Sequence, residues 1–285
     1  MIAITGAGGF IGSVLLGYIN SLGVSNIRIF DDLPHGDQFK NLAGKQYVRL
    51  HAADKIVEDI TCVIHIGANA NTLEKDWQQL YRSNILSTRH WHDFARSKSI
   101  PFIFTSSAAI YGLGQGPTNH YAFSKLENER DISHGVILRL FNVYGPNEYH
   151  KGRMASTVMH WYNQLTTSSE LKIFENSDEY FRDFIYVEDV VKTIWHFAQN
   201  YQPGVYDLGT GWATSFKTVA DILTSHITGK KTYIAMPQDL KSQYQTHTQA
   251  DTNDLINAGV NVSEFRSIHA GVAEYLDFLK VNRYY

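Results

Sequence analysis

The stretch YAFSK places Tyr121 four residues ahead of Lys125. On a helix this spacing brings the phenol and the ammonium to one face. A free tyrosine titrates near about 10 and is a poor base at neutral pH, but a neighbouring cation favours the phenolate and makes it usable in proton transfer. The same spacing occurs on any solvated helix face, so it gains meaning only from company. That company stands at the start of the chain, where TGAGGFIG sets Gly6, Gly9 and Gly12 in a GxxGxxG pattern. The pattern is a variant of the dinucleotide fingerprint: a tight turn, a backbone that can approach a pyrophosphate, and a helix packed close to the sheet. The helix that follows turns free N–H groups and a favourable dipole toward the anion. A structural turn would also use glycine, but its position one strand into the chain favours a dinucleotide. The second apolar run ends in FDD, where Asp31 suits the adenosine ribose hydroxyls. Asp32 adds a carboxylate that would repel a 2′-phosphate, so charge alone prefers NAD to NADP.

These groups need elements to carry them. Short apolar runs at 2–5, 27–30, 47–50, 62–66, 102–106 and 136–141 read as strands. Helical patterns lie between several of them, such as GSVLLGYINSLG and LYRSNILSTRHWHDFARSKS. This alternation argues for a parallel sheet covered on both faces. In the second half, DFIYVEDVVKTIWHFAQN reads as a short strand leading into a helix and GVYDLGTG as another strand. Ser215 is expected to cap the helix FKTVADILTSH, and HAGVAEYLDFLKVN is an amphipathic helix. No repeat, low-complexity tract or long linker interrupts the pattern.

Composition narrows the classes. The chain has 285 residues, 44% hydrophobic and 19% charged, with a formal net charge of −3 and no Lys/Arg-rich run. That is an ordinary globular composition without the basic surplus that nucleic acid or an anionic membrane would call for. The single cysteine, Cys62, sits in the apolar run CVIHIG and reads as a strand residue rather than a nucleophile. One cysteine cannot form an internal disulfide, which fits a reducing compartment. The thirteen histidines are scattered, with no HExxH or Cys/His cluster, so no metal is expected. No apolar stretch approaches the roughly 18 residues of a membrane span, and no signal peptide is read ahead of MIAITGAGGFIG. A cytoplasmic location is the expectation.

With TGAGGFIG, SSAAIYG (106–112) and YAFSK in this order, the chain resembles the extended short-chain dehydrogenase/reductase family. The later stretches FNVYGPNEYHKGRMAS, RDFIYVEDV, DLGTGWATSFKTVAD and DLKSQYQTHTQAD are similar to the ADP-glyceromanno-heptose 6-epimerases within it, over nearly the whole chain. HKGxMAS is the most specific of these. The resemblance implies a Rossmann-type, doubly wound parallel α/β sheet over 1–145, followed by a smaller mixed α/β substrate lobe over 146–285, some segments of which return to the first lobe. It implies that Ser107, rather than Ser106, holds the reacting carbinol. Tyr121 would exchange the hydroxyl proton, and Lys125 would bind the nicotinamide ribose and lower the tyrosine pKa. Lys151 in HKGRMAS matches a second acid/base. Phe10, Ile11, Ala68, Asn84 and Val143 match cofactor positions. Asn142, His160, Phe174, Glu175, Ser177, Arg182 and Tyr244 match substrate positions, with Arg182 the natural clamp for a diphosphate. A structural ion pair of Arg182 with Asp183 or Glu188 is the competing reading.

The implied reaction explains the set. A carbinol carbon without an adjacent carbonyl has no acidic C–H, so inversion at C6 of ADP-heptose requires transient oxidation by NADP or NAD and re-reduction from the other face. A second proton donor is then useful, because the oxygen has moved. Four features depart from the pattern. Arg153 stands where HKGSMAS has a serine at the sugar, and Asn147 replaces an arginine after YGP. The connection from Gly112 to His120 is short, and Gln38 occupies a position where the family often has a lysine for the 2′-phosphate. Lys55 is a candidate to compensate. The expected product supplies lipopolysaccharide inner core or a related glycan, and a homo-oligomer is expected. The rivals are another nucleotide-sugar epimerase or reductase, such as a 4-epimerase, and a non-catalytic dinucleotide sensor. SSAAIYG lacks the acidic pair of a dehydratase.

Overall fold

The computed structural model describes residues 1–238 and 244–281. Its centre is a seven-stranded sheet of β1 (Ile2–Thr5), β2 (Ile27–Phe30), β3 (Arg49–His51), β4 (Cys62–His65), β5 (Phe102–Ser107), β6 (Val136–Leu140) and a late strand, Gly204–Leu208, tenth in chain order and called β10. The spatial order is β10-β6-β5-β4-β1-β2-β3, with every neighbouring pair parallel. This is the Rossmann-type α/β sheet expected from the sequence. The strand order reverses between β1 and β4, which opens a crevice beyond their carboxyl ends.

Burial on both faces explains the near-continuous apolar strands. On one face α1 (Phe10–Ser21) brings Val14, Leu15 and Ile19 against Ile4, Ile29 and Ile64. On the other, Trp91, Phe94 and Ala95 pack on Val63, Phe102, Phe104 and Ile137. The helical run read at 80–99 is not uniform. A turn, α2 (Trp77–Leu80), passes through a wide π-turn at Tyr81–Leu86 before α3 (Ser87–Ser97) resumes normal winding. The Asn84 carbonyl there accepts from Thr88 Oγ1 at 2.6 Å and from Asn128 Nδ2 at 3.3 Å. Side chains thus meet a carbonyl in the widened winding, a feature common near functional sites. The third strand lies two residues later than read at its start, because Asn20 holds both the amide and the carbonyl of Gln46 in a turn. YAFSK lies on α4 (His120–Asp131), capped by Asn119.

The second half adds β7 (Asn142–Tyr144), α5 (Thr157–Ser168), β8 (Glu170–Phe174) and β9 (Phe181–Tyr186). α6 (Val187–Gln199) then packs Val190, Val191, Ile194 and Phe197 into the same core as α1 before β10 joins the sheet. β11 (Ala213–Ser215) leads into α7 (Phe216–His226), where Ser215 Oγ accepts from the Thr218 amide as a cap. β12 (Lys230–Ile234) pairs with β8, while β9 is flanked by β11, β7 and β13 (His247–Thr248). The C-terminal helix Ile268–Val281 closes a separate core with Tyr144, Trp161, Phe184, Val219 and Leu223.

The glycine turn decides how closely α1 meets β1. Gly6 has φ +67°, and a Cβ on Gly12 would lie 2.1 Å from the Gly6 carbonyl oxygen. Gly12→Ala should therefore force α1 away and cost about 1–3 kcal/mol of stability. A melting curve checks this; unchanged melting would show that the contact is not limiting.

Candidate active site

The glycine loop is tied to the acidic end of β2. Asp31 Oδ2 accepts from the Gly8 amide at 2.8 Å, Oδ1 accepts from the Leu33 amide at 2.8 Å, and Gln38 Nε2 approaches both oxygens. Burial pushes the Asp31 carboxyl up, and the two amide bonds oppose that. Gln38 is buried and spent on Asp31 rather than on the surface. Asp32 is exposed and turns its carboxylate to the Ala53 amide, and Lys55 lies exposed on the same loop. Gly6 meets the backbone of Gly67 in the crevice, so Ala68 follows directly at its wall. Asn84 reaches Asn69 with both ends of its amide and donates to Ser124 Oγ on α4 at 2.9 Å. Phe10 and Ile11 open α1, and Val143 on β7 packs against the α1 core.

Ser107, Tyr121 and Lys125 come together where β5 meets α4. Tyr121 is buried and hydrogen-bonded to Ser107; burial raises its phenol and the serine contact lowers it. The ammonium of Lys125, 3% exposed, donates to the Thr105 carbonyl at 2.8 Å and lies 4.6 Å from the Phe104 ring centroid. Burial lowers it to about 7, with Glu129 opposing. The favourable influence on the phenol therefore comes from Ser107, while Lys125 turns its proton to the strand. Ser106 is occupied elsewhere, donating to Glu129 Oε1 at 2.5 Å.

Lys151 sits in a 3-10 turn, Tyr149–Met154, with its ammonium 5.0 Å from the centroid of the Phe10 ring. The segment is clamped at its base. Glu148, fully buried, accepts from the amides of Gly145 and Ser156 and from Ser156 Oγ. It is also pinned to the glycine loop: Asn41 Nδ2 donates to the Gly8 carbonyl at 3.0 Å, Tyr149 donates to Asn41 Oδ1 at 2.9 Å, and Asn147 donates to Ser13 Oγ at 2.9 Å. Asn147 adopts φ +74°, a conformation that asparagine tolerates far better than arginine. Burial lowers the Lys151 ammonium and Glu148 raises it. Arg153 is exposed, and its carbonyl meets His160 Nε2 at 3.2 Å.

Arg182 on β9 is 8% exposed, donates to the Phe181 carbonyl at 2.7 Å, and lies against the rings of Phe216, at 5.5 Å, and Tyr244, at 5.0 Å. Both carboxylates named as structural partners are engaged elsewhere. Asp183 accepts from Thr210, Gly211 and Ala250, and Glu188 pairs with Arg266 at 2.6 Å. Among the described residues no salt bridge is recorded for Arg182, and burial disfavours its charge. Ser177, with a buried hydroxyl lacking a partner among the described residues, accepts at its carbonyl from the Lys217 amide beside Phe216. Phe174 is half-buried at the end of β8, and Glu175 is exposed beyond it. Asn142 donates to the Asp183 carbonyl at 3.1 Å. The stretch DLKSQYQTHTQAD begins within 239–243, outside the described residues.

Sequence reading missed Phe216, Asn41, Glu148 and Glu129. Only Glu129 left a signal, standing four residues after Lys125 as Lys125 stands after Tyr121. Burial holds the Cys62 thiol up at about 12, consistent with a strand residue. Among the described residues no group of three or more His, Cys, Asp or Glu could hold a metal, and no helix is long and apolar enough to cross a membrane.

The depressed value at Lys125 has a stability consequence. Between about 7 and the ordinary 10.5 the unfolded chain binds more protons than the native one, so this group adds stability as pH rises through that window. Below it both states are protonated and the native state bears the full cost of the buried ammonium. In cofactor-free protein, the stability of wild type relative to Lys125→Met should therefore improve by about 2 kcal/mol from pH 6.5 to 9. Urea unfolding of both proteins checks this, and a pH-independent difference would contradict it.

Comparison with known proteins identifies the family and the fold. Residues 2–209 match the model of the NAD dependent epimerase/dehydratase family. The ADP-L-glycero-D-manno-heptose-6-epimerase of Helicobacter pylori superimposes with a TM-score of 0.86 at 28% identity, covering 99% of this chain and 96% of that one. UDP-glucose 4-epimerase of Thermotoga maritima gives 0.85 at 22% identity, with 98% of each chain covered. UDP-N-acetylglucosamine 4-epimerase of Methanobrevibacter ruminantium gives 0.79 at 22%, over 97% of this chain and 98% of that one. At such identities the two 4-epimerases speak for the fold alone. The chain belongs to the NAD-dependent epimerase/dehydratase family.

Proposed function

We propose that the protein inverts C6 of the heptose in ADP-D-glycero-D-manno-heptose, giving the L-glycero form for lipopolysaccharide inner core or a related glycan. The observation that carries this reading is the second ammonium. The Lys151 ammonium lies 5.0 Å from the ring of Phe10, the first residue of α1, on a segment that Glu148 and Asn41 fix through Ser156 and Tyr149. Two proton-handling groups suit a reaction in which one oxygen must be served in two positions. The similarity to the Helicobacter pylori heptose epimerase supports the same choice.

The residues present fit a nicotinamide dinucleotide. The loop from Gly6 to Gly12 and the start of α1 would hold its pyrophosphate, and Asp31 the adenosine ribose. Ala68, Asn84 and Val143 would line its path, and Lys125 would meet the nicotinamide ribose. Adjacent carboxylates at Asp31 and Asp32, and a neutral Gln38 bonded to Asp31, favour NAD over NADP. When bound, the nicotinamide supplies a positively charged two-electron acceptor that returns what it takes, so the net reaction is an isomerisation.

The chain's own groups do the rest. Ser107 holds the carbinol oxygen and Tyr121, as the phenolate that a positively charged nicotinamide beside it would favour, takes its proton; Lys151 returns a proton to the oxygen in its inverted position, and exchange with water restores both groups for the next turnover. Arg182, lying against Phe216 and Tyr244, clamps the diphosphate, which supplies the counter-charge this guanidinium lacks. Another nucleotide-sugar epimerase is the second reading, favoured by Arg153 where the heptose enzymes have serine.

Incubation with ADP-D-glycero-D-manno-heptose carrying deuterium at C6 should give inversion with the label retained, followed by NMR. Turnover of a hexose nucleotide without heptose inversion would select the second reading, and loss of label to water would remove the redox mechanism. Arg182→Leu should raise KM about 10- to 100-fold, the worth of hydrogen bonds to a charged group, without lowering the melting temperature of ligand-free protein. Steady-state kinetics with a melting curve checks both, and a normal KM would end the clamp assignment.

A further inference from the structure

We propose that His65 is a positioning residue for the cofactor crevice. As a neutral imidazole with its proton on Nε2, it links the turn after β4, which lies on the glycine loop, to the π-turn that holds α4. The inference rests on the reading of that crevice as the seat of a nicotinamide dinucleotide.

His65 ends β4 and is 1% exposed, its ring against those of Phe102 and Phe104 with centroids 6.0 Å away in each case. Its two nitrogens meet two buried hydroxyls, Nδ1 with Thr5 Oγ1 at 2.8 Å and Nε2 with Thr88 Oγ1 at 3.1 Å. The other bonds of those hydroxyls fix the direction of the chain. Thr5 Oγ1 accepts from the amides of Ile66 and Gly67, both at 3.1 Å, so its lone pairs are used and its proton goes to Nδ1. Thr88 Oγ1 donates its one proton to the Asn84 carbonyl at 2.6 Å, so toward His65 it accepts, from Nε2–H. A proton on Nδ1 would give Thr5 Oγ1 a third donor and leave the Thr5 proton without an acceptor, out of reach of water. The hydroxyls at both ends therefore select the same tautomer and exclude the imidazolium. Burial, which holds this imidazole down at about 3, acts in the same direction.

The chain joins two walls of the crevice. Gly67 lies so close to the glycine loop that a Cβ on Gly6 would come within 2.6 Å of its nitrogen and Cα. The Gly67 amide is held by Thr5, and Ala68 and Asn69 follow it. At the other end, the Asn84 carbonyl belongs to the π-turn. The Asn84 amide accepts from the Asn69 nitrogen, donates to the Asn69 carbonyl, and donates to Ser124, which stands between Tyr121 and Lys125. The bonds thus form a closed circuit from Thr5 through His65, Thr88 and Asn84 to Asn69, back on the turn after β4. Cutting it at His65 frees that turn from α4 on one side without removing any group that would touch the cofactor.

His65→Phe keeps an aromatic ring against Phe102 and Phe104 and removes both hydrogen bonds. NAD affinity of the folded, cofactor-free variant, measured by calorimetry, should fall about tenfold, the worth of one to two neutral hydrogen bonds. Thr88→Val should bind less tightly in the same way, Thr88→Ser should bind like wild type, and His65→Phe with Thr88→Val should lose little more than His65→Phe alone, because the circuit is already cut. In wild type, the His65 ring 15N signals, identified by their absence from the variant, should show a protonated Nε2 and a bare Nδ1 down to about pH 5.5, below the ordinary titration of histidine. A protonated Nδ1 there would overturn the inference. So would His65→Phe and Thr88→Val proteins that bind NAD like wild type, whatever their melting temperatures, since the circuit would then be structural only. Should His65→Phe not accumulate as folded protein, Thr88→Val against Thr88→Ser decides: a loss confined to valine supports the inference, and equal binding overturns it. If wild type itself binds no dinucleotide, the reading of the crevice fails and the inference falls with it.

Discussion

An ammonium or guanidinium taken out of water costs several kcal/mol unless a partner restores part of its solvation. This protein buries three such cations. Lys125, Lys151 and Arg182 all have their charge disfavoured by burial. The charges of Glu129 and Glu148 oppose that at Lys125 and Lys151, whereas Arg182 lies against two aromatic rings. Stability alone would favour apolar residues at such positions. A dinucleotide and a nucleotide diphosphate sugar together would supply the ribose hydroxyls and phosphate oxygens that these cations lack.

The architecture serves that constraint by bringing distant segments to the open end of one parallel sheet. The strand order reverses at β1 and β4, and the glycine turn lets α1 close down on that point with no side chain between them. α4 crosses beside β5, so a tyrosine and a lysine one turn apart meet Ser107 and the Thr105 carbonyl at the strand end. β9 belongs to a different sheet, yet through β7 it is joined to the segment that follows β6, which sets Arg182 in fixed relation to the first lobe.

A second set of contacts joins the two halves. Asn41 bonds the glycine loop with one end of its amide and Tyr149 with the other, and Asn147 reaches Ser13 on α1. These are neutral hydrogen bonds between short side chains. They fix the segment carrying Lys151 without placing another charge beside Asp31. The asparagine at 147, in a left-handed conformation, makes this contact.

Much was legible in the order of residues. The apolar strands, the glycine turn, the helix bearing YAFSK and the Ser215 cap all follow from local rules, because period, propensity and cap chemistry act over a few residues. That Ser107 and Tyr121 belong to one reaction is what the motifs implied; that they touch was left to the fold. The rest depended on contacts between residues far apart in the chain. Whether Asp183 or Glu188 pairs with Arg182 turned on where those carboxylates spend their hydrogen bonds, which depends on Thr210, Ala250 and Arg266. That Lys125 faces Thr105 while Ser107 serves the phenol depended on how α4 lies against β5. Spacing along a helix states which groups can be neighbours, but charge states are set by burial and by the partners that folding brings in, and those are properties of the assembled tertiary structure.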